Sequence, residues 1–185
     1  MISTVEKIYT FEEYLELEKI AEIRHEFVNG KLISMPEETK KANLIAGNLY
    51  LIFRANLDDK HLASYFQDVR LEVENGRRYR YPDVVIAPSA DDEDELAVKL
   101  PVIIVEVLSK STASIDTNEK LEEYIKIPSL SHYLIVAQDK VSVQVYSRDK
   151  VFWQFKTYNS KEEMIILKDL SLEIEVKEIY KKIKF

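Results

Sequence analysis

The sequence predicts a mixed α/β (α+β) fold, a central mixed β-sheet flanked by helices and entered through an N-terminal helix and a β-hairpin. Three observations predict it. Asn29-Gly30 and Asn75-Gly76 each sit between apolar alternations, a strong short-range hairpin signal. Ile45, Leu49, Ile52 and Phe53 recur at helical spacing. Pro101–Leu108 (PVIIVEVL) is the most apolar stretch of the chain and suits a strand buried on both faces.

The elements follow in order. Thr10-Phe11-Glu12-Glu13 reads as a capping box opening a helix through about Lys19. His25–Val28, Asn29-Gly30 and Lys31–Met35 read as strand, turn and strand, and Thr39 to about Leu57 as the second helix. Strands are expected at Tyr65–Val73 and Arg77–Ala87, joined at Asn75-Gly76. Pro82 inside the second implies a bend or an edge, because proline has no N–H to give a ladder. Asp91–Glu95 reads as a solvated acidic loop. After the apolar strand, Asp116-Thr117-Asn118-Glu119 caps a helix that turns Leu121, Tyr124 and Ile125 inward and stops at Pro128. His132–Val136, Val141–Tyr146 and Val151–Tyr158 read as three further strands, and Leu172–Phe185 as a short strand or turn and then a helix. With no repeat, low-complexity tract or Pro/Gly/Ser linker, residues 1–185 read as a single domain.

Twenty-six Lys and Arg against 33 Asp and Glu give a net charge of −7. This balance argues against wrapping nucleic acid by dense neutralisation of phosphates. It leaves room for a carboxylate site in which a bound cation is the local positive element. The absence of cysteine removes thiolate nucleophiles and Cys-ligated metal, and a cytoplasmic setting is expected. No apolar run approaches the ~18 residues needed to cross a bilayer, so no membrane partner is expected. Met1–Lys7 lacks the basic-then-apolar order of a signal peptide. His25, His61 and His132 have no zinc-site spacing and read as surface or hairpin residues. No G-x-S-x-G elbow surrounds Ser109, Ser111 or Ser114, and there is no P-loop or G-x-G-x-x-G.

Two acids stand where apolar residues are expected. Glu106 interrupts the most apolar strand, where an ionised carboxylate is costly unless paired or metal-bound. Asp83 follows Pro82 and opens Val84-Val85-Ile86-Ala87. Together they point to a shared polar site at the edge of the core. A buried salt bridge or a solvated strand face is an equal reading for either acid alone. Asp116, Lys120 and Tyr124 fall at successive i,i+4 steps, so Lys120 can reach the end of the Glu106 strand or merely pair with Asp116. Arg77-Arg78-Tyr79-Arg80-Tyr81 is the one basic cluster with interleaved aromatics, either a grip on phosphate backbone or an exposed strand face.

Asp83 after Pro82, Glu106 in an apolar strand, Val107–Thr112 (VLSKST), Asp116-xxx-Lys120 and Tyr124 resemble a bacterial family of restriction-endonuclease-like proteins, abundant in cyanobacteria, of the PD-(D/E)XK nuclease superfamily. The Glu26–Lys31 hairpin, Gly47-Asn48-Leu49 and Ser131–Val136 are similar to the same family, so the resemblance runs from about Thr10 to about Tyr158. It implies a restriction-endonuclease-like fold and a Mg²⁺-dependent DNA endonuclease, with Mn²⁺ as a substitute. Asp83, Glu106 and the Val107 carbonyl would hold the metal, Lys120 would act on the attacking water or the phosphoryl oxygens, and Glu26 would ligate a second metal or position water. DNA is the implied partner, contacted by Arg77, Arg78 and Arg80, and a homodimer is the implied assembly. Two positions depart from the pattern: Leu108 occupies the superfamily's usual lysine position, which Lys120 replaces from the next helix, and no histidine stands near Ala42 or Asn43. The alternative is a catalytically silent nuclease fold acting as a DNA-binding or assembly module.

Overall fold

Thr10 opens α1 (Phe11–Ile20) as its capping box requires. Its hydroxyl accepts the Glu13 N–H at 3.1 Å, and the Glu13 carboxylate accepts the Thr10 N–H at 2.9 Å. Asn29 and Gly30, at φ of 50° and 86°, turn β1 (His25–Val28) back into β2 (Lys31–Ser34), since a two-residue I′ turn needs positive φ at both positions. The Thr39 hydroxyl accepts the Ala42 N–H at 3.1 Å and starts α2 (Lys40–Leu57), whose Ile45, Leu49 and Phe53 are buried. The computed structural model describes residues 7–35, 37–57, 61–89, 95–108 and 118–185. Residues 91–94 of the acidic loop, the Asp116-Thr117 cap and Ser109, Ser111 and Ser114 lie outside them.

The two long strands expected at Tyr65–Val73 and Arg77–Ala87 are instead one hairpin bent at its middle. β3 (Leu62–Phe66) pairs with β6 (Val84–Pro88), and β4 (Arg70–Glu74) pairs with β5 (Arg78–Arg80), both antiparallel. Gln67 and Asp68 make the bend on one arm at φ of 50° and 51°. Pro82, which cannot donate to a ladder, makes it on the other. Past the bend the arms enter different sheets. One sheet has the order β2-β1-β5-β4-β7, with β7 at Ala97–Val98. The other has the order β11-β10-β9-β8-β6-β3, with β8 (Ile103–Leu108), β9 (His132–Ala137), β10 (Val143–Asp149) and β11 (Phe152–Tyr158). β8 and β9 run parallel, and α3 (Lys120–Tyr124) lies on the crossover between them. β12 (Met164–Leu167), which the sequence reading did not separate from its surroundings, pairs with β13 (Leu172–Glu175) ahead of α4 (Val176–Ile179). No helix among the described residues is long and apolar enough to cross a membrane.

The six-stranded sheet is covered on both faces. Val84, Ile86, Ile103, Val105 and Val107 pack with Ile45, Leu49 and Phe53 of α2. The alternate residues Val85, Ala87 and Ile104 pack with Tyr124, Ile127 and Leu130 on the opposite side. The same period of two puts Asp83 and Glu106 on this second face, beside α3.

Candidate active site

β6 and β8 pair with Val84 opposite Val105. Carried one residue further, that register sets Asp83 opposite Glu106 on one face of the sheet. Carried one more, it sets Pro82 opposite Val107. Proline has no N–H to offer, so this edge of the ladder supplies no donor to the Val107 carbonyl. The Val107 N–H is taken instead by the Asp83 carboxylate, Oδ2 accepting at 2.6 Å. The chain therefore leaves the ladder just where a carboxylate side chain replaces a main-chain acceptor.

Lys120 and Tyr124, one turn apart on α3, meet on Glu106. The Lys120 Nζ donates to Glu106 Oε1 at 2.9 Å, and the Tyr124 hydroxyl donates to the same oxygen at 2.9 Å. Lys120 also lies 3.1 Å from Glu26 Oε1 on β1. All three charged groups are buried, a placement that is strongly unfavourable for an unpaired ion. Burial by itself would raise the Glu26 carboxyl, but Lys120 and Arg80 together hold it below the usual carboxylate range. Burial, and then the Glu106 charge, push the Tyr124 phenol well up, so it remains a donor.

Arg80 is fully buried. Its Nη1 donates to Glu26 Oε2 at 2.6 Å, and its Nε and Nη2 donate to the two oxygens of Glu123 at 3.0 and 2.9 Å. This corrects the reading of Arg77, Arg78 and Arg80 as one phosphate-gripping cluster. Residues two apart on a strand share a side, and here that side meets Glu123 on α3. Arg78 is paired with Glu74 and lies 3.4 Å from Glu123, while Arg77, also paired with Glu74 at 3.1 Å, is the strongly exposed arginine of the three. Glu26, expected to ligate a second metal or to position water, has each of its oxygens against a cation.

A cavity of about 810 Å³ is lined by Glu26, Asp83, Glu106, Val107 and Lys120, with Arg24 also on its wall. Among the described residues no cluster of three or more His, Asp or Glu side chains gathers as a metal centre. Of the acids on its wall, Asp83 and Glu106 stand opposite each other in the register of β6 and β8, beside the Val107 main chain. Hard oxygen donors with room for water suit Mg²⁺, which keeps several of its waters when bound. His132, read as a surface or hairpin residue, is buried on β9, because the strand that carries it is central. Its Nδ1 is 2.9 Å from Ser147 Oγ and its Nε2 is 2.7 Å from Asp169 Oδ1. The sequence reading missed Glu123, whose only local signal is its place one turn after Lys120.

A family model, Uma2, described as "Putative restriction endonuclease", matches residues 11–177. The chain belongs to the Uma2 family. Two cyanobacterial relatives from Synechocystis agree in extent. The chain is similar to the "Uncharacterized protein sll1609", 32% identical over 151 residues covering 80% of this chain and 85% of that protein. It is also similar to the "Uncharacterized protein slr1290", 29% identical over 176 residues covering 94% of this chain and 92% of that protein. Among solved structures, "a putative nuclease belonging to DUF820" from Anabaena variabilis superposes with a TM-score of 0.76 at 15% identity, over 92% of this chain and 97% of that one. At that identity the likeness speaks for the fold, so this Uma2 chain has the restriction-endonuclease-like, mixed α+β architecture.

Proposed function

We propose that this Uma2 protein is a metal-dependent DNA endonuclease that hydrolyses phosphodiester bonds at the cavity holding Asp83, Glu106 and Lys120. The observation that carries the reading is the register of β6 against β8, which sets two acids side by side while Lys120 reaches the same carboxylate from α3. Asp83 and Glu106, with the Val107 carbonyl, would hold Mg²⁺, or Mn²⁺ in its place. Bound there, the ion would lower the pKa of a water and offset charge on the scissile phosphate.

The chain's own groups have separate tasks. Asp83 is oriented by the Val107 N–H, and Glu106 by the Tyr124 hydroxyl, so neither carboxylate has to be ordered when substrate arrives. Lys120 presents a fixed ammonium beside Glu106, to steady the attacking water or to offset charge as it develops on the phosphoryl oxygens. Arg77, exposed on the hairpin turn although paired with Glu74 at 3.1 Å, is the arginine of its cluster that could meet phosphate backbone from solvent. A homodimer would bring two such sites to the two strands of a duplex.

The test is Mg²⁺- or Mn²⁺-dependent cleavage of supercoiled and single-stranded DNA by the purified protein, beside Asp83→Asn. Cleavage that needs the metal and is lost in the variant supports the reading. One observation favours a silent DNA-binding or assembly module: Ala42, near where the family pattern carries a histidine, lines this cavity. DNA binding without metal-dependent cleavage would decide for the module.

A further inference from the structure

Lys120 stands on a helix of five residues, too short to fix its own rotation. Five charges of alternating sign run inward from it and back to the same helix. Glu106 Oε1 meets Lys120 at 2.9 Å, Lys120 meets Glu26 Oε1 at 3.1 Å, Glu26 Oε2 meets Arg80 at 2.6 Å, and Arg80 meets Glu123 at 2.9 and 3.0 Å. Glu123 lies three residues after Lys120, so the chain of contacts closes on α3. All three nitrogens of the buried guanidinium are used, two of them in a fork onto Glu123. A planar fork sets an orientation that a lysine's single ammonium does not.

We propose that Arg80 is a positioning residue for Lys120. It holds the rotation of α3 through Glu123, and it holds the lysine's second anion, Glu26, in place. Buried ionic networks are often no more stabilising than apolar replacements, so what this one supplies is geometry. Arg80 also lies three residues before Asp83 on the same arm of the bent hairpin, so one segment carries both the clamp on the lysine and the acid opposite Glu106. The inference rests on the nuclease reading for what Lys120 does, and on the contacts alone for where Lys120 is held.

The test compares Arg80→Lys and Glu123→Gln, each in the wild-type and the Lys120→Ala background of the full chain. Glu123 is slightly exposed and Gln keeps its size and one acceptor, so Glu123→Gln carries the test if Arg80→Lys fails to fold. With Lys120 present, each variant is expected to lower kcat roughly 100-fold, the scale of a misplaced catalytic group. KM should stay within about twofold, since ground-state binding is untouched. In the Lys120→Ala background neither change should lower kcat further, because its route of action has gone. Equal losses in both backgrounds would overturn the proposal. A second readout needs no activity: the ¹⁵N resonance of the Lys120 ammonium, assigned by its absence in Lys120→Ala, should be seen in the wild type and lost in both variants. If the wild type shows no metal-dependent cleavage, the nuclease reading falls and this resonance alone decides: its persistence in the variants sinks the positioning role, and its loss upholds it.

Discussion

The Val107 N–H donates to the Asp83 carboxylate at 2.6 Å, one residue past Glu106 and across from the proline that ends the ladder. Asp83 is thus aimed by the main chain of the strand that carries the other acid. Asp83→Asn keeps an oxygen for that N–H, so it should fold normally while losing Mn²⁺ binding in a calorimetric titration. Asp83→Ala strips the acceptor and should also lose about 1–3 kcal/mol of stability by urea unfolding. Mn²⁺ binding that survives in Asp83→Asn would remove Asp83 from the metal site.

Glu106→Gln should abolish Mn²⁺ binding and leave the protein folded. Breaking a buried ion pair commonly costs roughly 3–5 kcal/mol. Here Lys120 retains Glu26 at 3.1 Å, so the loss should fall below that range. A fall in stability of the full amount, with metal binding intact, would make Glu106 a structural partner only.

Lys120→Ala should lower turnover roughly 100- to 1,000-fold, as removal of a preorganised transition-state donor does, with little change in DNA affinity. Steady-state kinetics beside salt-dependent binding separate the two. A binding module would instead show weaker DNA binding and a salt slope reduced by roughly one unit.

Stability should fall in two steps on acidification. His132 is held below its ordinary value of 6.5, chiefly by burial, with Asp169 opposing. The unfolded chain therefore takes up that proton first, and stability declines as the pH drops below about 6.5 towards the folded value. Glu26 is held below 4.5 despite burial, by Lys120 and Arg80; its contribution is whole above 4.5 and is lost as the pH falls through the folded value. Urea midpoints measured from pH 7.5 to 3.5 should show both steps, His132→Gln removing the upper and Glu26→Gln the lower. A wild-type profile flat between pH 7.5 and 5 would contradict the first assignment.

Much of this was legible in the sequence, because it is local. The α1 cap, both Asn-Gly turns and the apolar β8 follow from short-range chemistry, and Glu106 and Asp83 stand out as acids in apolar runs. Helical spacing put Lys120 and Tyr124 on one face. The bend of the long hairpin was not legible: Gln67 and Asp68 take positive φ without a glycine to announce it. Pro82 marked an interruption but not a passage into a second sheet. Arg80 read as a surface base because its partner Glu123 lies 43 residues away, and His132 finds Asp169 37 residues on. Partner choice at such separations is set by how layers stack, which strand alternation does not reveal.

A lysine two residues down the strand from Glu106 would be aimed by the pleat of the backbone itself. Here that position is Leu108, and the aim is delegated to ionic contacts reaching from separate elements. If Arg80 positions Lys120 in this way, such a site would be switched off by the loss of one charge at position 26, 80 or 123, with Asp83, Glu106 and the whole apolar core left standing. Among relatives, dormant copies should therefore be sought by a broken alternation of charge at those positions, and a chain that retains both acids need not be an active one.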